Sequence, residues 1–264
     1  YRSDAFVAAD AARSIFDYAA SDKTGGRPWY QVVGLVNPHD IMFYDATGRQ
    51  AKDRPNPNLL GPLRREPGDP IYETDNGFDL PESFYKDDLS TKPEAHRAIV
   101  RLNDLFYGKI DRSDVASWRR FNNYYYNCLR DVDRRLGQVL WALKQSGQMD
   151  NTIIIYTTDH GERAAAHGMR QKAGTIYREE VNVPMIIVHP GLPGGRRTKR
   201  LMSAIDLAPT LMGLGGMTAV QTAERFPGLP GVDLTGMIAD PSSLTERDRR
   251  GHLYDYAVAY MWEP

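Results

Sequence analysis

The densest concentration of reactive side chains in this sequence lies at the end of one apolar run. Residues 151–162 read Asn-Thr-Ile-Ile-Ile-Tyr-Thr-Thr-Asp-His-Gly-Glu, so a hydrophobic segment stops in a carboxylate, Asp159, an imidazole, His160, and a glycine. His167 and Lys172 follow closely, and a second apolar run ends at Asn37-Pro38-His39-Asp40. A carboxylate and an imidazole at a strand end suit one shared divalent cation, which polarises ester oxygens and helps form an oxyanion nucleophile. Lys172 adds a point charge for a transferred anionic group, and His39 a proton for a leaving oxygen. The chemistry these types describe together is transfer of a charged tetrahedral group. Strand alternation sends Asp159 and His160 to opposite faces, so they share a cation only where the chain turns, and Gly161 supplies that freedom. Each residue alone also has an ordinary reading: a capping acid, a loop histidine, a solvated lysine. Their joint placement in strand-exit loops favours the chemical one.

The elements that must position them follow from the pattern. Ser3 and Asp4 are candidate caps of a first helix running to about Ala20, and Gly25-Gly26-Arg27-Pro28 breaks it. Trp29–Val36 is a nearly continuous apolar run of the kind buried on both faces of a parallel sheet. Residues 41–93 are rich in Pro, Gly, Asp and Arg with little periodicity, and read as a surface excursion able to roof a site. Helices are expected at about 94–106 and 113–145. The second carries Trp118, Phe121, Tyr125, Leu129, Val132 and Leu136 at helical spacing for core packing. Strands are expected at 152–157 and 183–188, with a short one at 201–205, and Asp206 as the cap of a helix over 207–214 closed by Gly215-Gly216. Strands alternating with helices give an α/β fold with a mainly parallel sheet flanked by helices. In such sheets, sites form where loops leave the carboxyl ends of strands.

Composition narrows the function classes. The chain has 264 residues, 33 basic against 34 acidic, and a net charge of −1. That balance argues against a nucleic-acid or membrane-surface binder, which needs a basic excess. A single cysteine, Cys128, excludes an internal disulfide framework and a multi-cysteine zinc site, and its helical surroundings mark it as a buried packing residue. No run of about 18 apolar residues is present, so no membrane span is expected. The sequence opens Tyr1-Arg-Ser-Asp with neither initiator methionine nor signal peptide, which reads as an internal segment. This leans toward a cytoplasmic setting without fixing the compartment. Neither a phosphate-cradling glycine loop nor a Ser-His-Asp elbow occurs.

At the same residues the chain resembles the sulfatase family of the alkaline phosphatase superfamily. The resemblance runs through 27–40, 151–172, Tyr177-Arg-Glu-Glu, Val183-Pro, His189-Pro-Gly and Ile205-Asp-Leu-Ala-Pro-Thr-Leu, in matching order over most of residues 27–215. It implies an alkaline phosphatase-like fold, incomplete at both ends. One sulfatase-like domain is expected over 1–250, including the 41–93 excursion, with 251–264 beginning a further subdomain. By this likeness Asp159 and His160 match metal ligands, of Ca2+ in most sulfatases. His39 matches the histidine near the bridging ester oxygen, Lys172 the lysine that contacts the sulfate, and His167 a histidine beside the bound substrate. The Asp-His pair is also similar to choline sulfatases and phosphonate monoester hydrolases, which leaves Mn2+ and a phosphonate or phosphate diester as the alternative.

The departures are equally specific. The family nucleophile is a formylglycine made from the first residue of Cys/Ser-x-Pro-x-Arg, and no such motif occurs. Cys128 precedes Leu-Arg-Asp and cannot take that part. The paired aspartates that complete the family's metal set have no counterpart, since Asp87-Asp88 follows no apolar strand. The expectation is therefore a sulfuric ester hydrolase acting on a small sulfate ester, with formylglycine and the remaining ligands in sequence upstream and this segment inactive alone. A non-catalytic binding or structural module is the reading from another class.

Overall fold

The computed structural model describes residues 2–20, 27–55, 64–65, 67–172 and 174–245. The expected further subdomain at 251–264 lies outside them. Contacts divide the chain into two compact units: residues 1–150 with 162–180, and residues 151–161 with 181–264.

The first unit is built on two helices, α1 (Arg2–Ala20) and the 31-residue α5 (Val115–Gln145), which pack together. The α5 helix starts where Asp114 accepts a hydrogen bond from the Ser117 amide at 3.0 Å. It buries Trp118, Phe121, Tyr124, Cys128 and Val132, a stripe at three- and four-residue spacing. Leu129, expected on that stripe, is instead exposed, and Tyr124 and Cys128 take the inner positions. Asp4 is not the cap its position suggested. The helix already starts at Arg2, and the buried Asp4 carboxylate instead accepts hydrogen bonds from the amides of Val36 at 2.6 Å and Asn37 at 3.0 Å.

Between these helices run α2 (Gln50–Asp53), α3 (Glu82–Lys86) and α4 (Glu94–Tyr107), with short 3-10 turns at His39–Phe43 and Pro70–Glu73. The described part of 41–93 is not a surface roof. Ile41, Tyr44, Tyr72, Leu80 and Phe84 join the core against α5. Isolated apolar residues between turn formers carry no period, yet each fills a site on the long helix. The irregular backbone is satisfied by side chains: Asn127 donates to the Tyr72 and Thr74 carbonyls at 3.1 and 2.8 Å, and Asn123 to Thr74 at 2.8 Å.

The second unit contains β1 (Ile154–Thr157) and β2 (Met185–Val188), the two expected strands. Parallel pairing was expected; among the described residues the sole ladder is antiparallel, with Ile154 opposite Val188 and Thr157 opposite Met185. Residues 29–36 of the first unit take no regular secondary structure and join no ladder: Tyr30 and Val32 are 70% and 73% exposed, and the Val36 amide bonds to Asp4. Residues 201–205 form no strand either. Ser203 and Asp206 make a reciprocal capping box around a 3-10 turn, a local bond set that competes with a ladder. After it come α7 (Leu207–Leu214), α8 (Ala219–Arg225) and α9 (Thr235–Ala239). Asp206 does not cap α7 through its side chain; it accepts from the Ser203 and Val232 amides, each at 2.8 Å. The remaining helix, α6 (Arg178–Val181), spans the boundary between the two units.

Candidate functional site

The five candidate residues divide between the units. Asp159 and His160 leave β1 in the second; His39, His167 and Lys172 belong to the first.

At the strand exit the chain turns at once. Asp159 Oδ1 accepts from the His160 amide at 3.0 Å and from the Thr158 hydroxyl at 3.2 Å. The turn overrides strand alternation and leaves Asp159 Oδ2 3.5 Å from His160 Nε2. His160 Nδ1 lies 2.8 Å from the Gly161 carbonyl, which only accepts, so Nδ1 carries a proton and Nε2 is left as the ring's ligand atom. Burial pushes the Asp159 carboxyl up, and the His160 imidazole and amide together with the Thr158 hydroxyl more than reverse this, holding it below the ordinary value. A carboxylate oxygen and an imidazole lone pair at this separation fit two positions of one divalent cation. Among the described residues no group of three or more His, Cys, Asp or Glu side chains is arranged to hold a metal ion.

Residues 162–172 form a tight loop with Ala164, Ala165, His167 and Gln171 all at positive φ. Such backbone persists only where its surroundings over-determine it. Here a buried polar network does so. The Arg163 side chain donates to the Arg170 carbonyl through Nε at 3.2 Å and Nη2 at 3.0 Å, and to Thr175 Oγ1 at 2.9 Å, with Glu180 Oε1 3.4 Å away. Burial drives the Glu180 carboxyl above its ordinary value, against the pull of Arg163. Gly168 packs so closely on Arg112 that an added Cβ would stand 2.7 Å from Nη1. Out of this loop Lys172 Nζ donates to the His39 carbonyl at 2.9 Å, bringing two of the candidates together. The His39 ring lies at the start of its 3-10 turn with Nδ1 2.9 Å from Asp40 Oδ1.

His167 is mostly enclosed. Its ring stacks on Tyr177 with centroids 3.9 Å apart, Nδ1 is 2.8 Å from Asp87 Oδ2, and Nε2 is 3.7 Å from Glu179. Tyr177 in turn meets His96 Nδ1 through its hydroxyl at 2.8 Å. Asp87, dismissed in sequence as a poor metal ligand, thus serves as the partner of His167 and lines an open cavity of about 520 Å3 beside α3. Cys128 is buried as expected, and burial pushes its thiol up to about 12. Sequence reasoning missed Glu162 as a buried anchor. Its signal was the run of small residues Ala164-Ala-Ala166 beside it, which lets the chain fold tightly enough to enclose a carboxylate.

The sulfatase family profile matches residues 1–217. The chain belongs to the sulfatase family. A curated relative, arylsulfatase K of Canis lupus familiaris, is 30% identical over 123 residues, covering 47% of this chain and 22% of the relative. Among solved structures, a 2-O GAG sulfatase superposes with a TM-score of 0.62 at 21% identity, covering 91% of this chain and 46% of that one. A phosphonate monoester hydrolase of Silicibacter pomeroyi superposes at 0.55 with 20% identity, covering 89% and 46%. The chain therefore spans less than half the length of each. These likenesses establish the alkaline phosphatase-like α/β fold for this sulfatase-family chain.

Proposed function

We propose that the protein hydrolyses a small-molecule sulfate ester, a sulfuric ester hydrolase reaction of the arylsulfatase type. The observation that carries the reading is the Lys172 Nζ to His39 carbonyl hydrogen bond at 2.9 Å, which joins the two residues that the family motif assigns to the ester. Lys172 places a fixed ammonium against the sulfate oxygens, where charge grows during S–O cleavage. His39, its Nδ1 held by Asp40, keeps Nε2 for passing a proton to the leaving oxygen. His167 borders the bound ester. Asp159 and His160 hold a divalent cation, Ca2+ in the first instance, which when bound supplies positive charge to polarise an ester oxygen. Family membership supports a formylglycine as the nucleophile of the full-length protein.

The Asp159–His160 donor pair favours one second reading. An imidazole among the ligands suits Mn2+ better than Ca2+, and the same scaffold would then hydrolyse a phosphonate monoester or phosphodiester. Turnover of matched aryl sulfate and aryl phosphonate esters by the full-length protein separates the two. The sulfatase reading expects the sulfate to be preferred; a large preference for the phosphorus ester sinks it. Lys172→Ala should lower kcat/KM about 100- to 1,000-fold, the loss typical of one donor to a developing anion. Unchanged turnover in both Lys172→Ala and His39→Ala would return the protein to the class of non-catalytic binding modules.

A further inference from the structure

We infer that Glu162 is a positioning residue for Lys172, holding by its carboxylate the left-handed turn from which that lysine projects. The inference rests on the reading of Lys172 as the group that contacts the sulfate. It comes from a buried side chain of the loop whose one carboxylate oxygen is bonded to backbone amides at both of its ends. Glu162 Oε1 accepts from the Ala164 amide at 3.3 Å, where the loop begins, and from the Gln171 amide at 2.5 Å, where it closes. Gln171 has φ 74°, a conformation that costs a non-glycine residue free energy and relaxes unless something holds it. Two further backbone bonds tie the same ends: Arg163 N to Gln171 O at 3.3 Å and Ala165 N to Met169 O at 2.9 Å. The carboxylate is therefore the peg around which residues 162–171 are wound.

The peg acts on the next residue along. Lys172 follows Gln171 directly, and the direction in which its side chain leaves the loop is set by the Gln171 torsions. The second oxygen of Glu162, Oε2, is buried and has no hydrogen-bond partner among the described residues. Glu162 thus keeps a buried carboxyl group with one oxygen unpartnered, which an apolar side chain of similar size would avoid. A packing role does not explain that; a need to fix the Gln171 amide does. An error of about 1 Å at a charged contact is enough to cost on the order of 100-fold in rate.

The test uses the full-length enzyme with three variants at this position. Glu162→Ala removes the peg, Glu162→Asp shortens it by one methylene, and Glu162→Gln keeps an acceptor at the same reach. Glu162→Ala and Glu162→Asp are expected to lower kcat/KM for an aryl sulfate about 10- to 100-fold, divided between kcat and KM as in Lys172→Ala. Glu162→Gln should stay within about threefold of the parent, the amide oxygen replacing the carboxylate. In the Lys172→Ala background, Glu162→Asp should have no further effect. Additive losses, or a Glu162→Asp enzyme indistinguishable from the parent, overturn the inference. If Glu162→Ala does not fold, the Asp and Gln pair decides alone. A readout independent of turnover is the acetylation rate of Lys172 in the folded protein, followed by peptide mass spectrometry. Glu162→Asp should change it severalfold and Glu162→Gln should not, and equal rates in both overturn the inference. An inactive parent, or a silent Lys172→Ala, would reject the sulfatase reading while the labelling still decides whether Glu162 positions Lys172.

Discussion

Residues 158–161 and 162–172 are consecutive in the chain and satisfy their polar groups in opposite ways. In the first stretch Asp159 is 79% exposed, and its described hydrogen bonds come from its immediate neighbours, Thr158 and His160. In the second, Glu162, Arg163, Arg170 and Gln171 are all buried and tied to residues up to 67 positions away, such as Asn103, whose amide donates to the Arg170 carbonyl at 3.0 Å. The difference teaches how the two tasks are divided. On the function proposed above, the turn that offers Asp159 and His160 to a cation would leave those groups open for it to complete. The loop that would present Lys172 to an anion would have to fix that ammonium with protein alone. It therefore uses buried charge and left-handed backbone, both costly unless every neighbour cooperates.

The largest effect should come from the centre of the second stretch. Arg163→Ala leaves the Glu180 and Glu162 carboxylates buried beside a cavity, and should lower the unfolding free energy by about 3–5 kcal/mol in urea titrations. A loss below about 1 kcal/mol would erase the contrast. Next is Gly168→Ala, which forces a Cβ against Arg112 at φ 66° and should cost about 1–3 kcal/mol, seen as a lower urea midpoint. The open turn should behave differently. Asp159→Ala is expected to change stability in the absence of metal by no more than about 0.5 kcal/mol, while cation affinity measured by titration calorimetry falls about tenfold or more. A large destabilisation there would mean the turn is held by protein contacts after all.

The smallest effect sharpens the comparison by pH. Burial pushes the Asp87 carboxyl up, and the Leu89 amide, His167 and Lys92 outweigh it, so that it lies below the ordinary 3.8. A folded value below the unfolded one gives stability that is complete above pH 3.8 and is lost as pH falls through the folded value. Asp87→Asn should therefore flatten the acid end of the stability profile and leave the neutral end nearly unchanged. Chemical denaturation at stepped pH reads this directly.

Much of this was legible in the sequence because it is written in short-range patterns. The helical stripe of α5 and the apolar runs that became β1 and β2 each occupy one continuous stretch, and periodicity detects such stretches. The residues that match the family motif, from His39 to Lys172, were legible as types at fixed spacing. What escaped was long-range pairing. Nothing near Ile154 says that its strand partner runs antiparallel, and nothing near Tyr72 says that Asn127 will satisfy its carbonyl. The enclosure of Glu162 and of Asp87 also escaped, because it depends on residues far away in the chain. The excursion at 41–93 was misjudged for the same reason: its apolar residues have no period of their own and follow the shape of α5.

The Asp4 clasp has a consequence in the order of folding. The segment leading into His39 is held by Asp4 on α1 through the Val36 and Asn37 backbone amides, and by Asp131 on α5, whose Oδ2 accepts from the Asn37 side-chain Nδ2 at 3.4 Å. Helices form from local contacts within about a microsecond, whereas closing the chain from residue 37 to residue 131 must wait for both helices to meet. The His39 turn therefore depends on the packed pair of helices, since Asp4 on α1 and Asp131 on α5 both hold the segment that leads into it.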